Sequence, residues 1–170
     1  VERIEVVRGN VSALYGSQAT GGLRQIFTRK TVTGNMADFT AAVGNKGKRQ
    51  ISAQLSMGND KVQWTAGVAH EQVKAISAQN GAWVNPDVDG YRNNSGNIGV
   101  RVTPNDTTEF GARFFQSRGR NDDDSVYGPK DGIEFNKNRT QNVTLYANHQ
   151  WNNQWSSALN LSQVSDRYDY

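Results

Sequence analysis

The chain has 170 residues, of which 35% are hydrophobic, 17 are glycine and none is cysteine. That is the size of one ordinary domain, with little material for a water-excluded core, no disulfide framework and no thiolate chemistry. Nineteen basic residues against sixteen acidic ones give a net charge of +3, and no block of five like charges marks a nucleic-acid patch. Disorder is excluded by the regular recurrence of apolar residues and by 4 Trp, 6 Tyr and 6 Phe, since disordered chains are depleted in aromatics. No apolar run is long enough for a spanning helix. No signal peptide opens the sequence, which starts inside a strand-like run as a mature or excised piece would.

The opening thirty residues, "VERIEVVRGNVSALYGSQATGGLRQIFTRK", read as a strand (3–7), a Gly turn, one or two helical turns (10–15), a second turn and a strand (23–29). The Gly-rich "GSQATGG" is not a phosphate loop, because it lacks the Gly-Lys-Ser/Thr that reaches phosphate and magnesium.

After residue 34 the pattern changes to period two. Ile51, Ala53, Leu55 and Met57 alternate with Gln50, Ser52, Gln54 and Ser56. Val62, Trp64, Ala66 and Val68 alternate with Lys61, Gln63, Thr65 and Gly67. The same holds for Ile98, Val100 and Val102, for Phe110, Ala112 and Phe114, for Val143, Leu145 and Ala147, and for Trp155, Leu159 and Leu161. Strict alternation marks strands with one apolar and one polar face. Tight turns at 58–60, 103–106 and 152–154 carry Gly, Pro, Asn and Asp. They are separated by long polar stretches, 72–94 and 118–138. Strands of 9 to 12 residues in a short–long rhythm are what a transmembrane β-barrel requires, with its polar face inward, its apolar face to lipid and Trp151 and Trp155 near the headgroups. About seven strands lie between residues 37 and 168. This odd number, with the last run stopping in mid-pattern, reads as an arc of a larger barrel. The alternative is a soluble antiparallel sandwich or a non-transport adhesin module.

Two of the polar stretches are acidic. The first holds Asp87 and Asp89 in an Asp-x-Asp-Gly turn, and the second holds Asp122, Asp123, Asp124, Asp131 and Glu134. Calcium takes six to eight hard oxygens, and Asp-x-Asp-Gly aims two carboxylates at one ion. The bland alternative is a pair of solvated loops. His70 and His149 have no nucleophile motif near them, so an enzyme is not expected.

The opening stretch resembles the C-terminal end of the plug domain of TonB-dependent outer-membrane receptors. The family pattern is roughly Glu-Arg-Ile-Glu-Val-x-Arg-Gly-Pro, then Ser-x-Leu-Tyr-Gly-x-x-Ala-x-Gly-Gly, then a strand ending in Thr-Lys or Thr-Arg. Glu2, Arg3, Ile4, Glu5, Val6, Arg8, Gly9, Ser12, Leu14, Tyr15, Gly16, Ala19, Gly21, Gly22, Ile26, Thr28 and Lys30 match it. Asn10 departs from it, where Pro is usual, and so does Leu23-Arg24-Gln25. The resemblance implies an all-β antiparallel transmembrane arc of a barrel of about 22 strands, preceded by the end of an α+β plug. The plug end would be residues 1–34 and the first part of the barrel 35–170. It implies a receptor that binds a scarce nutrient and imports it with energy from TonB, contacted through a missing N-terminal segment. Gly9, Gly16, Gly21 and Gly22 would supply unusual backbone conformations. Arg3, Glu5 and Arg8 would face polar partners or stand as solvated charge. The acidic loops resemble those of cobalamin-transporting members, which hold calcium there. Asp87 and Asp89 match the first-loop element, and the second-loop counterpart is one of Asp122 to Asp124, with Asp123 and Glu134 the candidates. An iron–siderophore or haem receptor is the alternative.

Overall fold

The computed structural model describes residues 3–10, 12–15, 21–27, 34–74, 89–123 and 134–169. By backbone contact the chain divides into two compact units, Val1–Lys30 and Thr31–Tyr170. In the first, β1 (Arg3–Arg8) and β2 (Gly22–Phe27) pair antiparallel, with the single helical turn α1 (Ser12–Tyr15) between them in sequence. Asn10 starts that turn. Its Oδ1 accepts the Ser12 backbone N–H at 2.9 Å and the Ser12 hydroxyl at 2.6 Å, satisfying a donor that the helix itself leaves open. Gly22 has a φ of 137°, and a Cβ there would run into the Val7 carbonyl. Only glycine fits this position.

The second unit is all-β. Seven strands, β3 (Gly34–Val43), β4 (Arg49–Gly58), β5 (Val62–Lys74), β6 (Gly90–Asn105), β7 (Thr108–Asp123), β8 (Glu134–Gln150) and β9 (Ser156–Asp169), form one antiparallel meander in sequence order. The connections at one end are short and share a device. Asn59 Oδ1 accepts from the backbone N–H of Lys61 and Val62 at 2.9 and 2.8 Å. Asn152 Oδ1 does the same for Gln154 and Trp155 at 2.9 and 3.0 Å. Asn105 Oδ1 accepts from the Thr107 N–H at 3.1 Å and its hydroxyl at 2.9 Å. Asn closes a tight turn in this way by standing in for a backbone acceptor.

The strands run further than the alternation in sequence suggests. β6, β7 and β8 have 16, 16 and 17 residues, so much of the expected irregular stretches 72–94 and 118–138 is ladder. Polar side chains knit these extensions. Ser117 Oγ donates to Asn93 Oδ1 at 2.7 Å, Asn121 Nδ2 to Asn136 Oδ1 at 3.2 Å, and Gln141 Nε2 to Gln116 Oε1 at 3.0 Å. A polar ladder has no apolar phase, so periodicity does not reveal it.

The sheet is inverted relative to a water-soluble domain. Among the described residues its most enclosed side chains are polar, Ser56 at 2% and Gln63 at 5% exposure, whereas Val43 and Phe39 stand 88% and 73% exposed. Register places the alternating apolar residues of all seven strands on one face. Their band does not follow the cross-strand rows. Towards the end with the longer connections, the last apolar residues of that face before polar ones take over are Val43, Ile51, Val68, Ile98, Phe114, Val143 and Leu161. Pairing carries Val43 across to Arg49, Gln72, Arg92, Arg120, Lys137 and Asp169. Asp169 lies eight positions beyond Leu161. At sheet spacings that is ~26 Å along the strands over ~29 Å across them, so the strands tilt by about 42° from the normal to the band.

Candidate functional site

The acidic residues gather where the longer connections leave the sheet. Asp89 immediately precedes β6, Asp122 and Asp123 end β7, and Glu134 opens β8. The register sets Tyr91 opposite Asn121 and Asp123 opposite Glu134. A Cβ added to Gly90 would lie 2.9 Å from Asp122 Oδ2, so the Asp-Gly turn and the end of β7 are immediate neighbours. Three of the four metal candidates, Asp89, Asp123 and Glu134, thus lie on the edges of adjoining strand ends. Asp87 lies outside the described residues. Asp122 is already committed, since Arg120 Nε donates to its Oδ1 at 2.8 Å. Among the described residues no three Asp, Glu or His side chains gather closely enough to hold a metal ion. Burial, and then the Glu71 carboxylate, push the Tyr91 phenol above its usual pKa. Both effects disfavour the phenolate, so Tyr91 remains a neutral O–H group among these strand ends.

In the opening unit, Arg3 and Arg8 terminate β1, opposite Phe27 and Gly22, and Glu5 pairs with Gln25. Gly9 and Gly22 have φ of 103° and 137°, the left-handed conformations expected of them. Gly21 has no such φ, and nothing lies within 4 Å of a Cβ placed there. Tyr15 ends α1. Gly16 lies outside the described residues.

The polar face carries a second constellation. Arg101 on β6 holds Glu109 on β7 through Nε at 2.8 Å and Nη2 at 2.6 Å, and its Nη1 donates to Gln63 of β5 at 3.3 Å. Three strands are tied by one half-buried guanidinium. Each residue lies in the polar phase of its strand, but the sequence does not reveal which ones meet until the register is known. The histidines are occupied across strands, His70 Nδ1 with Asn94 Oδ1 at 2.8 Å and His149 Nδ1 with Thr108 Oγ1 at 2.9 Å. They lie towards opposite ends of the sheet.

No family model matches the chain, and no curated protein matches it.

Proposed function

We propose that the chain is part of a TonB-dependent outer-membrane receptor, with the end of a plug domain at residues 1–34 and the first strands of a barrel of about 22 strands at 35–170. The observation that carries this reading is the slanted apolar band. Strands of outer-membrane barrels tilt from the membrane normal by roughly 35–45°, and the register here gives a tilt of about 42° from the normal to the band. The inversion of the sheet supports the same reading. Exposed Val43, Phe39 and Leu145 meet lipid, while Ser56, Gln63 and the Arg101–Glu109 pair face the interior. Trp151 and Trp155, 68% and 69% exposed at the short-turn end, sit at the headgroup level on the periplasmic side.

In this reading the receptor captures a scarce nutrient at its outer face and passes it inward at the expense of TonB. It works by binding and passage rather than by catalysis. Its partners are TonB, outer-membrane lipid and a small ligand, not nucleic acid. Cobalamin is the ligand assigned; for calcium to be held between the outer connections, Asp87, Asp89, Asp123 and Glu134 would have to draw together, since the described residues show no such gathering. An iron–siderophore or haem ligand is the runner-up. The test is cobalamin binding to the intact protein in detergent, with calcium and then with chelator. Tight binding that weakens on chelation, and that Asp89→Asn weakens similarly, supports the assignment. Absence of binding in both conditions rejects cobalamin and returns Asp87 and Asp89 to the role of turn residues.

A further inference from the structure

Beyond the apolar band, on the same face, the register assembles a cluster of cations. Arg118 of β7, Arg139 of β8 and Arg167 of β9 stand directly opposite one another. In the next row Arg92, Arg120 and Lys137 do the same across β6, β7 and β8. Like charges directly opposite on adjacent strands are destabilising, and here they occur three abreast in two rows. Two described carboxylates on the same face answer them in part. Asp122 pairs with Arg120 and Asp169 with Arg167, at 2.8 and 3.1 Å. Within these two rows the residues that face one another are all cations.

The cluster is organised. The guanidinium of Arg120 lies 4.2 Å and the ammonium of Lys137 4.9 Å from the centroid of the Phe135 ring, which holds both over one aromatic platform. Arg139 Nη2 donates to Gln116 Oε1 at 3.1 Å, so its guanidinium leans one row back towards the apolar band. A shallow cleft of about 520 Å³ opens among Arg92, Arg118, Arg120, Lys137, Arg139 and Asp169. Arg118 and Arg139 stand four residues beyond Phe114 and Val143, the edge of the band on their strands. At the slant derived above that is ~10 Å of height, within a side chain's reach of a headgroup layer roughly 5–8 Å deep.

We propose that this face binds a multiply phosphorylated lipid of the surrounding leaflet. Its acyl chains would lie on the apolar band of β6 to β9, and its phosphates between Arg118, Arg139 and Arg167, with Arg92, Arg120 and Lys137 behind them. The charge selects the occupant. Guanidinium pairs in register offer forked donors to phosphate oxygens, and a lipid with one compensated headgroup would bring a single phosphate to two rows of cations. The inference rests on the membrane reading of the sheet.

The test uses the intact protein in nanodiscs containing either a disaccharide lipid with two phosphates or its phosphate-free analogue with the same acyl chains, with retained lipid counted by native mass spectrometry. The wild type should retain the phosphorylated lipid preferentially. Each cation near an anionic headgroup layer contributes about fivefold, so the double substitution Arg118→Ser/Arg139→Ser should reduce that preference by roughly tenfold or more. Arg113→Gln, on the opposite face, should leave it unchanged. Without phosphorylated lipid the double variant should be at least as heat-resistant as the wild type, because it removes a like-charge pair. A merely structural role for these arginines predicts a less stable variant instead. Insertion with equal retention of both lipids would overturn this inference alone, whereas failure to enter any bilayer would overturn it together with the membrane reading. Displacement of the lipid by micromolar inorganic pyrophosphate would assign the cluster to a soluble phosphate and reject the lipid.

Discussion

Leu145 sits in the middle of the apolar run of β8, between Val143 and Ala147, and is 51% exposed. Its neighbour Thr144 belongs to the other face and is bonded to Ser162 across the strand at 3.1 Å. The receptor reading therefore assigns adjacent residues to opposite solvents. Leu145→Arg should cost ~2–4 kcal/mol of folding stability in bilayers, the depth-dependent price of a cation at mid-membrane. A surface position in water would show a change within about 0.5 kcal/mol, and reversible unfolding in lipid separates the two. On the polar face, Glu109→Ala should leave Arg101 half-buried without its carboxylate. The expected loss is ~1–2 kcal/mol, discounted for the remaining exposure of the pair. A double-mutant cycle with Arg101→Ala should give a coupling of the same order, and additivity would remove the pair from the account.

At the scale of elements, the turns were legible and the strand extensions were not. "GND", "TPND" and "NNQ" announce turns because Asn has a short side-chain acceptor, and Asn59, Asn105 and Asn152 use it in the same way. Asn152→Ala should lower stability by ~1 kcal/mol, as read from the midpoint of unfolding, while Asn152→Asp should retain most of it. Apart from Tyr91 and Phe135, the halves of β6 to β8 towards the longer connections are polar on both faces and therefore carry no apolar period. Their cations obey the strand phase all the same. Arg118 and Arg120 continue the phase of Phe114, and Lys137 and Arg139 that of Val143. What the sequence withholds is which phase meets which, a property of register. Close approach is withheld for the same reason. Gly111 reads as a neutral strand glycine, but the Tyr146 ring lies where its Cβ would be. Gly111→Ala should cost ~1–3 kcal/mol by overpacking. Adding Tyr146→Ala should recover part of that loss, and a double variant no better than the sum of the singles would contradict the contact.

For the whole molecule, the all-β class and the seven-stranded meander follow from alternation and turn chemistry, because a period-two apolar phase in strand after strand leaves few other solutions. The slant of the band was hidden. It emerges only when Val43 is carried by pairing to Asp169 and compared with Leu161. The acidic site was half legible. The sequence marks both connections, and the pairing of β6 with β7 and β7 with β8 brings Asp89, Asp122, Asp123 and Glu134 to adjoining strand ends, but Asp122 turns to Arg120 instead. In the proposed receptor, one face of this sheet meets lipid along an oblique band. Nitroxides placed singly along β8 from residue 138 to 149 and along β4 from 50 to 57, in the intact protein in bilayers, test it most directly through accessibility to oxygen and to a water-soluble nickel chelate. Positions 143, 145 and 147 should favour oxygen and 142, 144 and 146 the chelate, with the outer limit of oxygen preference near 143 on β8 and near 51 on β4. Uniform chelate access along both strands, or limits that fall on one cross-strand row, would contradict the claim.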